Sequence, residues 1–217
     1  MRLRDLLASL VVAVLACPVF ASTANTVQDY LLQQQQHSLS PLFPNPKQPG
    51  MPWMKVGVKS QSVVLYDEYG RQQRRYLAST AKRGLGEREG SYQTPRGWHR
   101  VCDKIGDGAP PDTILFRQAI TPWRYTPQLH TEYPDKDWIL TCILWLCGQE
   151  PGLNQGQLND GTVVDSYRRF IYIHGAGSHV KWGTPTSLGC IRLSSADVID
   201  LFALAPLGSD VLIDPDF

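Results

Sequence analysis

The chain reads as a mostly β domain with one or two short α-helices. From Trp53 onward, apolar or alternating runs of strand length recur between turn residues such as Gly, Pro and Asp. Near the C-terminus a capped stretch beginning at Ser194 carries helical apolar spacing. The 217 residues are enough for one domain with a full core. A formal net charge of +1 gives no sign of a surface for nucleic acid or another polyanion.

In chain order, residues 1–21 read as an export signal. Arg2 and Arg4 supply the basic start, Leu6 to Ala16 the apolar run, and Val19-Phe20-Ala21 a small-residue cleavage site before Ser22. The run is too short to span a bilayer comfortably. Val14-Leu15-Ala16-Cys17 also resembles a lipoprotein box, which would attach the protein to a membrane through Cys17. Pro18 and Leu15 favour simple cleavage. Residues 22–51 read as a flexible leader, with Gln33 to Gln36 polar and Pro41, Pro44, Pro46 and Pro49 crowded together. A short helix from Val27 to Gln36 is the alternative there.

The domain proper is expected over residues 52–217. Trp53–Val58, Ser62–Tyr66 and Arg74–Thr80 read as strands, with Asp67-Glu68-Tyr69-Gly70 turning the chain, which makes a β-meander. Thr94-Pro95-Arg96-Gly97 is a tight turn, because Pro presets φ and Gly allows positive φ. Trp98–Ile105 is the next strand and Gly106–Pro111 a loop. Asp137–Gly148 is almost continuously apolar and fits a strand buried on both faces, followed by a loop over Glu150–Gly156. Arg168–His174 reads as a strand with Phe170, Tyr172 and His174 on one face and Ile171 and Ile173 on the other. Ser194 caps a helix, and Asp197 three residues later approximates a capping box. Val198, Ile199, Leu201, Phe202 and Ala205 form its apolar face; Pro206 and Gly208 end it, and Asp210–Asp214 is a last strand.

Five cysteines are present, four of them after the signal. In an exported chain a structural disulfide is permitted. Cys142 and Cys147 point to opposite faces of their strand and cannot easily bond each other, so Cys102 with either one is the expected bridge. The His and Cys positions do not make a zinc ligand set at usual spacing, and no metal or other cofactor is expected.

The most informative stretch is Ile173-His174-Gly175 followed by Ser187-Leu188-Gly189-Cys190-Ile191-Arg192-Leu193. A thiol is a weak nucleophile until it loses its proton, and an imidazole is the usual acceptor. Gly189 permits close backbone approach to whatever the sulfur attacks, and the amides of Gly189 and Cys190 are candidates to hold a developing oxyanion. Gly175 breaks the His strand and is grouped with this site. Arg192 can bind a substrate carboxylate or backbone carbonyls, Ser187 can cap the loop or meet substrate, and Tyr172 can line a cleft or pack in the core.

This string closely resembles the signature of the L,D-transpeptidase (YkuD-type) catalytic domain. The resemblance runs from about Trp53 to the C-terminus. It includes the opening strands with Gln61, Tyr66, Ser79 and Thr80, the Thr94-Pro95-Arg96-Gly97 turn, and the apolar strand followed by Glu150-Pro151-Gly152-Leu153-Asn154. It implies a β-sandwich or barrel-like catalytic fold. Cys190 would be the nucleophile and His174 its base, forming a thioester with peptidoglycan stem peptides and passing the acyl group to an amine. The acceptor would be another stem or a wall-anchored protein. Such a protein would act as a monomer in the periplasm or cell envelope, in cell-wall organisation and cell shape. Leu188 departs from the family, which usually has a second His there. A hydrolase on the same site and an inactive wall-binding homologue are the alternatives.

Overall fold

The computed structural model describes residues 48–217. The export signal, the Cys17 alternative and the Val27–Gln36 helix lie outside the described residues. At the end of the 22–51 segment, the Gln48 N–H already donates to Asp210 Oδ2 at 2.7 Å, so the chain is held to the domain before Trp53.

The meander is present as β1 (Trp53–Gly57), β2 (Ser62–Tyr66) and β3 (Gln72–Leu77), paired antiparallel in sequence. Its second turn closes because the Asp67 carboxylate accepts the N–H groups of Tyr69 and Arg71 at 3.0 and 2.8 Å. β3 ends at Leu77, three residues earlier than its sequence suggests. Beyond it the chain leaves β2, and Ser79 bridges to Arg192 and Ala81 to Ser187. The end of the meander is therefore committed to the motif loop.

β10 (Asp210–Asp214) lies parallel to β1 and antiparallel to β4 (Gly97–Ile105), which pairs with β7 (Leu140–Gly148). β8 (Tyr172–Gly175) lies antiparallel on β7, and β9 (Ile191–Leu193) parallel on β8. The apolar run of β7 follows from this central place. Leu144 and Leu146 face the main core, whereas Ile143 and Trp145 pack with Leu115 and Tyr172 on the other side. The main core is shared by Met54, Val56, Val63, Leu65, Ile173, Ile191, Leu193, Val211 and Ile213. It is covered by the helix Ser195–Leu204 through Val198, Leu201 and Phe202. That helix starts as expected, with Ser194 Oγ accepting the Asp197 N–H at 3.1 Å. Ile199 is not on its buried face and is 38% exposed. Cys102 and Cys147 form the disulfide, joining β4 to β7 with 5.9 Å between Cα atoms, and Cys142 is buried in the core as a free thiol.

Four elements have no counterpart in the sequence reading: the short strand β9 and the three that follow β4 along the chain. Residues Thr113–Phe116 (β5) and Ala119–Arg124 (β6) form a hairpin joined to β7 through Ile114 and Leu140. Its two-residue turn is Arg117-Gln118, both at positive φ (48° and 62°). That backbone is the type I′ hairpin turn, whose usual signal is Asn-Gly or Asp-Gly; Arg-Gln hides it. The hairpin is followed by a helix of 6 residues, Pro127–Glu132, too short to show a period. In order along the chain these helices are α1 (Pro127–Glu132) and α2 (Ser195–Leu204), so the domain is mostly β with two short helices.

Candidate active site

The parallel pairing of β8 and β9 sets Ile173 opposite Ile191, His174 opposite Arg192 and Gly175 opposite Leu193. Alternation sends Ile173, Ile191 and Leu193 into the core. Tyr172, His174 and Arg192 take the other face. Cys190, immediately before β9, joins them: its sulfur accepts the Tyr172 N–H at 3.4 Å and its S–H donates to Phe170 O at 3.3 Å. The motif strand is shorter than its sequence suggests. Asp165 Oδ1 accepts the Arg168 N–H at 3.0 Å in a turn, and Phe170 sits at φ 58°, so β8 starts only at Tyr172.

The loop before Cys190 is held from two sides. Ser187 is fully buried; its Oγ donates to Cys190 O at 2.6 Å and accepts the Gly189 N–H at 3.2 Å. Thr94 Oγ1 donates to Gly189 O at 2.9 Å while accepting the Ala81 N–H at 3.0 Å. The turn that carries Thr94 is itself fastened by Asn154, whose Nδ2 donates to Arg96 O and Trp98 O at 2.9 and 3.0 Å. The Thr94-Pro95-Arg96-Gly97 and Glu150–Asn154 motifs are thus structural supports of the thiol loop. Gly189 is at φ 135°, where a side chain is strained whatever the space. Because Ser187 takes the Gly189 N–H, that amide is withdrawn from the expected oxyanion pair. Among the described residues nothing accepts the Cys190 N–H, so that amide is free to donate.

His174 is buried, and its Nδ1 lies 2.8 Å from Gly175 O. A carbonyl only accepts, so Nδ1 carries the proton and Nε2 keeps the lone pair. Nε2 is buried with no hydrogen-bond partner among the described residues. Gly175 lies in β8 where a Cβ would come 2.8 Å from Leu140 O, so it serves close strand approach and orients the imidazole. Burial holds the His174 pKa below its ordinary value, with Asp137 raising it and Arg192 lowering it by smaller amounts. Burial, followed by the Asp137 carboxylate, pushes the Cys190 thiol up to about 12, against the Tyr172 amide, Arg192 and Arg169. Both shifts favour the neutral forms, thiol and imidazole. The thiol donates to Phe170 O and must release that carbonyl before it can hand its proton to Nε2.

Cys190 stands in the wall of a cavity of ≈ 690 Å³, with Tyr172, Phe170, Gln118, Trp138 and Asp137. Tyr172 is buried, and its hydroxyl accepts from Gln118 Nε2 at 2.8 Å, which ties the β5–β6 hairpin to the floor of the cleft. Arg192 does not reach the cavity as a free cation. It is buried, with NH2 2.7 Å from Asp137 Oδ1 and NH1 donating to Thr186 Oγ1 at 3.3 Å. Leu188 is half exposed, on the rim of a smaller cavity of ≈ 250 Å³ with Arg192, Asp137 and His179. Asp137 is the site residue that sequence reasoning missed. Its one signal is a carboxylate at the mouth of a buried apolar strand, a place where an unpaired charge is costly.

The sequence matches the YkuD profile, the L,D-transpeptidase catalytic domain, over residues 52–213. Comparison with curated protein sequences returned no match. Among solved structures the chain is similar to an L,D-transpeptidase from Mycobacterium smegmatis at 15% identity and a TM-score of 0.44, covering 75% of this chain and 58% of that one. It is similar to an L,D-transpeptidase (residues 123–326) from Xylanimonas cellulosilytica at 19% identity and a TM-score of 0.43, covering 84% and 69%. It is also similar to L,D-transpeptidase 3 from Mycobacterium tuberculosis, solved in complex with a faropenem-derived adduct, at 15% identity and a TM-score of 0.46, covering 75% and 60%. The chain thus spans 58% and 60% of the two mycobacterial structures. The profile match extends from the first strand to the last and contains every residue of the site, and the chain belongs to the YkuD family of L,D-transpeptidase catalytic domains.

Proposed function

We propose that this protein is a peptidoglycan L,D-transpeptidase that works through a thioester on Cys190. The observation that carries the proposal is the pairing of a cavity-lining thiol with an unpartnered, lone-pair-bearing imidazole nitrogen on the same face of β8 and β9. The thiol proton passes to His174 Nε2 as the sulfur attacks the carbonyl of a stem-peptide amide. The Cys190 N–H steadies the oxyanion. Collapse breaks the C–N bond, the imidazolium protonates the departing amine, and the acyl group remains as a thioester. An acceptor amine then loses its proton to His174 and forms the new amide, freeing the thiol. The donor bond is the L-to-D link after the third stem residue, with D-Ala released.

Export through residues 1–21 would deliver the enzyme to the periplasm or envelope, where its substrate lies, to remodel the wall and shape the cell as a monomer. Cleavage after Ala21 is preferred to lipidation of Cys17.

Incubation with a tetrapeptide stem and an amine acceptor tests the activity. Wild type is expected to release D-Ala and form the amide-linked product, and Cys190→Ala to do neither. Release of D-Ala with water as the sole acceptor would replace the transferase with a carboxypeptidase. No turnover by wild type would leave a binding homologue.

A further inference from the structure

We propose that Asp137 is a positioning residue of the reaction: by neutralising the buried Arg192 beside His174, it allows the imidazole to carry the Cys190 proton. The inference rests on the assignment of Cys190 and His174 as nucleophile and base.

Arg192 is paired directly with His174 across the β8–β9 register, and its side chain is almost wholly enclosed. A fixed guanidinium next to a base opposes protonation of that base. Asp137 lies 2.7 Å from Arg192 and lines both the cavity of Cys190 and the smaller cavity beyond it. It therefore sits where it can offset the guanidinium and meet the imidazolium as it forms. The other groups around the cluster are few. Lys136 lies beside Asp137 on the same segment, and Arg169 acts on the thiol from the turn before β8. His179, stacked on His130 at 3.9 Å and accepting or donating at Tyr125 Oη, feels both Arg192 and Asp137. Asp135 and Lys181 also line the smaller cavity; of the two carboxylates there, Asp137 is the one paired with Arg192. Burial already depresses His174, so an uncompensated Arg192 would depress it further and weaken the base.

The experiment is the rate of Cys190 acylation by a carbapenem, followed by intact mass on the full exported protein from pH 4 to 9. Because Asp137 also raises the thiol, the base is read from the acid limb, which Asp137→Asn is expected to move about one pH unit lower. Asp137→Glu should keep the limb near that of wild type. The double variant Asp137→Asn/Arg192→Gln removes both charges and should return the limb toward wild type; it also leaves no unpaired buried cation to compromise folding. A residue that merely anchors its loop would leave the limb in place in Asp137→Asn and make the double variant no better than the single. Either of those results overturns the proposal while leaving the nucleophile intact. Absence of acylation in wild type would instead refute the Cys190 assignment, and this proposal with it.

Discussion

His174→Ala is expected to slow acylation of Cys190 at pH 7 by about 10³-fold, the middle of the range for loss of a general base. The reason lies in the resting thiol. Held at about 12, it would be ionised in only about one molecule in 10⁵ at neutral pH, so direct attack by preformed thiolate is negligible. Only proton transfer within the complex makes the sulfur competent, and Nε2 is the base available on its strand face. The pH dependence separates this route from its rival. In wild type the base is depressed and the thiol elevated, so the rate should be flat from pH 7 to 9. In His174→Ala the residual rate should climb about tenfold per pH unit, because it follows the small thiolate fraction. His174→Gln, closer in volume and able to donate to Gly175 O, guards against a cavity effect. Rates within tenfold of wild type, with the same flat profile, would remove His174 from the chemistry.

The second large effect is on stability. Cys102 and Cys147 close a loop with a sequence separation of 45 and tie β4 to β7, the strand on which β8 is built. In the chain-entropy view such a loop constrains the unfolded chain by about 4 kcal/mol. Replacing both cysteines with Ala should lower Tm by about 10 °C in calorimetry, given the usual sensitivity of a domain this size. The same loss should follow in wild type under a thiol reductant. A Tm unchanged in both would mean that the bridge contributes nothing to the fold.

Most of the strands that position the site, β9 apart, were legible because their signals are local. Asp67 and Gly70 mark the second turn of the meander, alternating Ile171 and Ile173 fix the inward face of the segment that enters β8, and Ser194 with Asp197 announces α2. Alternation separates Cys142 from Cys147 on β7 and left Cys102 to pair with either; the structure pairs it with Cys147. What was not legible depends on long-range contact. Thr94 reads as a turn residue, yet its hydroxyl holds Gly189 from 95 positions away in sequence. Of the two roles open to Ser187 it takes the loop one, but nothing local tells that its hydroxyl would occupy the Gly189 amide, which was grouped with the oxyanion donors. Arg192 read equally as a substrate-binding cation and as a structural donor to backbone carbonyls; it is held instead by Asp137, which heads a segment whose apolar run points to the core. The β5–β6 hairpin escaped because Arg117 and Gln118 adopt a left-handed turn without the residues that favour it.

Peptide mapping after incubation with a carbapenem is the most direct measurement of the nucleophile. A single adduct per chain is predicted on the peptide that holds Cys190. None is predicted on Cys142, which is buried against the Val198 carbonyl, or on the bridged Cys102 and Cys147. An unmodified Cys190 under conditions where another residue is acylated, or where none is, would contradict the thioester mechanism.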